Sequence, residues 1–74
     1  MKVFVFESTR AVIKSEAAVR EGGIDCTVIP VPRSVSPHCG MALQIEDEDE
    51  AAAGELLSGL RIKTEIFDRS EVKL

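Results

Sequence analysis

The residue pattern predicts an α+β fold: a ferredoxin-like βαββαβ two-layer sandwich with an antiparallel sheet ordered 4-1-3-2. Three observations carry this. Strand and helix signals follow one another in that order along residues 1–74, a single domain. The first strand segment is apolar on both faces, as an interior strand requires. The second contains two prolines, which remove ladder donors and belong at a sheet edge.

Each element has its own signal. "KVFVFE" is rich in β-branched and aromatic residues, with Val3 and Val5 on one face and Phe4 and Phe6 on the other. Ser8 or Thr9 then caps a helix running to about Glu21, and Gly22 with Gly23 stops it. "CTVIPVP" is the second strand, with Pro30 and Pro32 marking the edge. "RSVSPHC" is a loop. "GMALQIE" is the third strand, with Met41, Leu43 and Ile45 on one face. Asp47 with Glu50 forms an acidic capping-box variant opening a second helix. Ala53, Leu56, Leu57 and Leu60 give that helix its apolar stripe, and Gly59 marks its last turn. "RIKTEIF" is the fourth strand.

Composition narrows the function. The net charge is -4, from 13 acidic and 9 basic residues, against the cationic surface a general nucleic-acid binder needs. No apolar run approaches membrane-spanning length. "MKVFVFES" reaches an acid too early for a signal peptide, so a cytoplasmic location with reduced thiols is expected. Two cysteines make no disulfide framework. A hairpin centred near Ser36 sets Cys26 well away from Cys39, so no bridge between them is expected. One histidine and two distant cysteines do not complete a zinc site, and "EDEDE" lacks the glycine and spacing of a calcium loop. No metal and no cofactor are expected. No phosphate loop or serine elbow is present.

The candidate site follows from the topology. The third strand runs antiparallel beside the first, so its start lies where the first helix begins. Cys39 and Gly40 are thereby expected near Ser8, Thr9 and Arg10. The loop adds Arg33 and His38, and the fourth strand brings Arg61 and Lys63 to the same end. Asp25, Glu46 to Glu50 and Asp68 collect at the other end. A thiolate is the reactive form of cysteine, and cations or a helix N-terminus favour it. A persulfide or selenide anion is favoured there for the same reason, and Gly40 admits close approach. The plainer reading makes Cys39 a small packing residue and His38 a solvated loop histidine.

The segment from Ser8 to Ile45 resembles a family of very small prokaryotic selenium/sulfur carrier-like proteins. The similar features are Ser8 and Thr9 after the first strand, Glu16, Gly23 with Ile24, the "PVPR" of Pro30 to Arg33, and Cys39 with Gly40. Relatives have serines before the cysteine where this chain has Pro37 and His38. The resemblance implies a carrier, rather than a stand-alone enzyme, that holds sulfur or selenium on Cys39. Its partners are then donor and acceptor proteins. The alternative is a small-anion-binding or regulatory module in which the cysteine is structural. The sheet face without helices offers a surface for a homodimer in either case.

Overall fold

The structure is a computed structural model that describes residues 1–38 and 40–72. Its strands are β1 (Lys2–Phe6), β2 (Cys26–Pro30), β3 (Met41–Ile45) and β4 (Thr64–Asp68). The helices are α1 (Thr9–Glu21) and α2 (Glu50–Gly59), with short 3-10 turns at Asp47–Asp49 and Arg69–Glu71. The sheet runs β2-β3-β1-β4 with every neighbouring pair antiparallel. That is the 4-1-3-2 order read from the other edge, and the fold is the ferredoxin-like α+β sandwich.

The alternation in β1 sorts the core into two layers. Phe4 and Phe6 join Leu43, Ile45, Val12, Val19, Ala53 and Leu57 under the helices. Val3 and Val5 join Ala42, Val31 and Val72 on the opposite face. Both layers exclude water: Phe4, Val3 and Leu43 are each 0% exposed.

Helix α1 starts where Ser8 Oγ accepts from the Ala11 amide at 3.1 Å. It stops where Gly23 takes a φ of 79° and the Ile24 amide donates back to the Val19 carbonyl at 3.1 Å. Its inward face is Val12, Ser15 and Val19. Ser15 is fully buried and its hydroxyl finds no partner among the described residues. An unmet buried hydroxyl is destabilising, and alanine is the better helix former. Ser15→Ala is therefore expected to stabilise the chain by about 1 kcal/mol. Thermal unfolding followed by circular dichroism should show a midpoint raised by roughly 4–8 °C.

Helix α2 departs from expectation at both ends. Among the described residues no side chain caps its start, and Asp47, expected in a capping box, instead pairs with the Met1 amino group at 2.9 Å. The same Asp-x-x-Glu spacing does form a box after β4. There Asp68 accepts from the Ser70 amide at 3.0 Å, and Glu71 accepts from the Asp68 amide at 2.8 Å. At the other end of α2, Arg61 takes a φ of 59°, the left-handed position more often filled by glycine. The Ile62 amide then donates to the Leu57 carbonyl at 3.0 Å and Ile62 packs on the core. Leu60, expected in the buried stripe, is left 41% exposed.

The box at Asp68 has a pH consequence. Hydrogen bonds from Ser70, with Lys2 nearby, lower the Asp68 carboxyl from 3.8 to about 2. A group with a depressed folded-state pKa adds stability above its unfolded value, and that stability fades as pH falls through the folded one. Urea midpoints should therefore decline between about pH 4 and pH 2. The decline should be shallower in Asp68→Asn, and an equal decline in both chains would show that other carboxylates control it.

Candidate functional site

The register fixes what meets at the end of the sheet where β1 finishes. Val5 pairs with Ala42 and Phe6 pairs with Thr64. Continuing both ladders by a residue or two sets Gly40 and Lys63 level with Glu7. The segment that follows Cys39 therefore enters the sheet beside the start of α1, as the topology predicted. Cys39 itself lies outside the described residues.

The loop from β2 to β3 is not a bare connection. The Val31 amide donates to the Gly40 carbonyl at 3.0 Å, which adds one rung beyond the β2–β3 ladder. Inside that ring the Val35 and Ser36 amides both donate to the Pro32 carbonyl, at 2.9 and 3.0 Å. The Gly40 amide donates to the Ser36 carbonyl at 3.1 Å. Gly40 has a φ of 66°, so a glycine suits the return into β3. The guanidinium of Arg33 lies over it: a side chain on Gly40 would place its Cβ 3.6 Å from Arg33 Nε. Arg33 Nη1 also donates to the Pro37 carbonyl at 3.4 Å. Arg33 thus spans the loop on both sides of residues 38 and 39.

This loop folds back over the sheet. Val31 and Val35 pack on Val3, Val5 and Ala42. From the far end Val72 joins the same cluster, and Arg69 reaches across β1 to Gln44 of β3 at 3.1 Å. The face expected to be open is therefore covered over Val3 and Val5. What a homodimer using that face would bury lies at its margins, where Ile29 of β2 and Phe67 of β4 are only partly buried.

The strip beside β4 is a groove of about 610 Å³. Its floor is Val5 with Glu65 and Phe67, the β4 side chains that alternate onto this face, and Lys63 just before that strand. Its wall is Ser34, Val35, Pro37 and His38 from the loop, and Glu7 and Thr64 close its end. A second hollow of about 270 Å³ lies at the start of α1, lined by Ser8, Arg61 and Ile62. Glu7 and Lys63 border both.

The residues expected at the site thus divide into groups. Arg33 lies over Gly40, and His38 lines the groove. Ser8 is used as the α1 cap and borders the second hollow. Thr9 and Arg10 sit exposed in the first turn of α1, at the same end of the sheet. Ser34, Pro37, Thr64 and Glu65 were missed. The period-two pattern of Lys63, Glu65 and Phe67 could have indicated Glu65, but the folded-back loop left no trace in the residue pattern.

The two ends of the sheet differ in how their charges are used. At the far end Met1, Lys2, Asp47, Glu50 and Asp68 are tied into ion pairs. Burial works against the Lys2 ammonium, but the Asp68 hydrogen bond and the Glu50 charge outweigh it and raise its pKa. Cys26 is buried beneath α1, where desolvation raises its thiol pKa despite the nearby Arg20 charge. Among the described residues no group of three or more histidine, cysteine, aspartate or glutamate side chains is placed to hold a metal. None of the helices described is long and apolar enough to cross a membrane.

Comparison with known proteins gives one match. Residues 2–67 match the family described as "Putative Se/S carrier protein-like". No curated protein and no solved structure matches the chain. With the match covering all four strands but for Asp68, and both helices, the chain belongs to the Se/S carrier protein-like family.

Proposed function

We propose that this protein is a thiol carrier that holds sulfur or selenium on Cys39 as a persulfide or selenopersulfide. The family match, which spans the position of Cys39, is the observation that carries this reading. The other thiol supports it by elimination. Cys26 is packed in the core with a raised pKa, which disfavours the nucleophilic thiolate. Cys39 is left for the chemistry.

The loading step is an exchange. The Cys39 thiolate attacks the outer sulfur of a donor protein's persulfide. The donor's sulfur–sulfur bond breaks, a new one forms on Cys39, and the donor leaves as a thiolate. The same step in reverse delivers the atom to an acceptor, with no net oxidation or reduction. Selenium follows the same course as the outer atom. The anion so carried is matched by Arg33, which brackets the loop through Gly40 and Pro37. Arg10 and the α1 N-terminus, at the same end of the sheet, add positive potential. A reducing cytoplasm keeps such a thiol available.

The test is the pH dependence of alkylation at Cys39, followed by intact mass in a Cys26→Ser background. The thiol is expected to titrate well below the reference value of about 8.5. A thiol that titrates at or above that value would sink the carrier reading and leave a small-anion-binding module in its place.

A further inference from the structure

The groove beside β4 has an unusual charge arrangement for its size. Glu7, Glu65 and Lys63 all line it, and none of them enters an ion pair among the described residues. Yet Glu7 and Lys63 each lie one residue beyond the last rung of the β1–β4 ladder, Phe6 with Thr64. A ligand carrying only negative charge meets two carboxylates there. One carrying only positive charge meets the Lys63 ammonium. A zwitterion satisfies both, with its ammonium on Glu7 or Glu65 and its carboxylate on Lys63.

The rest of the lining fits a short apolar or sulfur-bearing arm. Val5 and Phe67 form the floor, Val35 and Pro37 the wall. The volume lies within the range of small-molecule sites. His38, at the lip, is the residue that precedes Cys39 in the chain.

We infer that the groove binds a zwitterionic aminothiol, of which free cysteine is the simplest, as a further acceptor of the atom held on Cys39. The inference deepens the carrier reading and rests on it. In the transfer, the aminothiol's thiolate attacks the outer sulfur of the Cys39 persulfide. The bond between the two sulfurs on Cys39 breaks and its electron pair leaves with Cys39 as the thiolate. The aminothiol departs as a persulfide. Because the charges in the groove are exposed, the affinity is expected to be modest, with a dissociation constant on the order of 1 mM.

The experiment uses S-methyl-L-cysteine, which keeps both charges and cannot react, titrated into the Cys39→Ser chain. Saturable chemical-shift changes are expected at Val5, Val35 and Phe67. The N-acetyl and methyl-ester derivatives, each lacking one charge, should bind at least about fivefold more weakly, and so should the Lys63→Gln and Glu65→Gln chains bind the zwitterion. Equal binding of the blocked derivatives, or no saturable change in the groove at tens of millimolar, overturns the inference. Since this variant has no Cys39 thiol, the titration reads the groove alone. A native chain that takes up sulfur while the groove binds nothing fails the inference and spares the carrier. A groove that binds the zwitterion in a chain that never takes up sulfur fails the carrier reading, and the assignment of an acceptor falls with it.

Discussion

A Val3→Asp chain is expected not to fold, while Val3→Ala folds with reduced stability. Val3 is fully buried on the face away from the helices, between Val31 and Val72 and the strand neighbours Val5 and Ala42. A carboxylate there has no cation among its cluster neighbours and cannot keep its hydration. Burying an unpaired charge costs several kcal/mol even after the protein relaxes. Native proteins have only about 5–15 kcal/mol in hand, and a domain this small sits at the low end. Truncation to alanine removes only methyl groups and should cost roughly 1–3 kcal/mol. Circular dichroism and urea titration of the two variants will check this. A folded, fully soluble Val3→Asp chain with altered size would mean that Val3 is covered by a second copy rather than by the chain's own loop.

A Cys39→Ser chain is expected to take up no sulfur or selenium above background from a persulfide donor, whereas Cys26→Ser loads normally. The loss should be complete rather than partial, because a hydroxyl neither ionises near neutral pH nor forms the sulfur–sulfur bond. Intact mass after incubation with the donor reads the loading directly. Thermal unfolding of the same samples separates a lost thiol from a lost fold. Arg33→Gln should fall between the two, with Cys39 still loading but its alkylation pKa raised toward the reference of about 8.5. If Cys39→Ser retains its activity on a small anion, the thiol is not the working group.

The strand–helix order was legible because short-range chemistry decides it. Alternating Val and Phe in β1 dictated two apolar faces, Gly22 and Gly23 ended α1, and Pro30 fixed β2 at the edge. The meeting of the Gly40 segment with the start of α1 followed from topology alone. What the residues did not disclose was competition between equivalent local signals. Asp47 and Asp68 have the same spacing to a following glutamate, yet only Asp68 forms the box. The Met1 amino group, distant in sequence from Asp47, claims the other carboxylate. Leu60 has the correct helical phase but lies past the last turn, where Arg61 redirects the chain. The groove was the least legible, since its wall exists only because Val31 and Val35 lie down on β1 and β3.

The rung between Val31 and Gly40 closes the loop on itself, while the four strands are held by full ladders. A segment whose backbone hydrogen bonds run largely within itself, and which meets the sheet through Val31 and Val35, can open as a unit without melting the sheet. The amides of Val35, Ser36 and Gly40 should then exchange with solvent deuterium at rates indifferent to mild denaturant, while those of β1 slow or quicken with global stability. The loop would breathe on its own clock. A mutation that weakens the helix-side core could shorten the protein's lifetime without changing how often the loop opens.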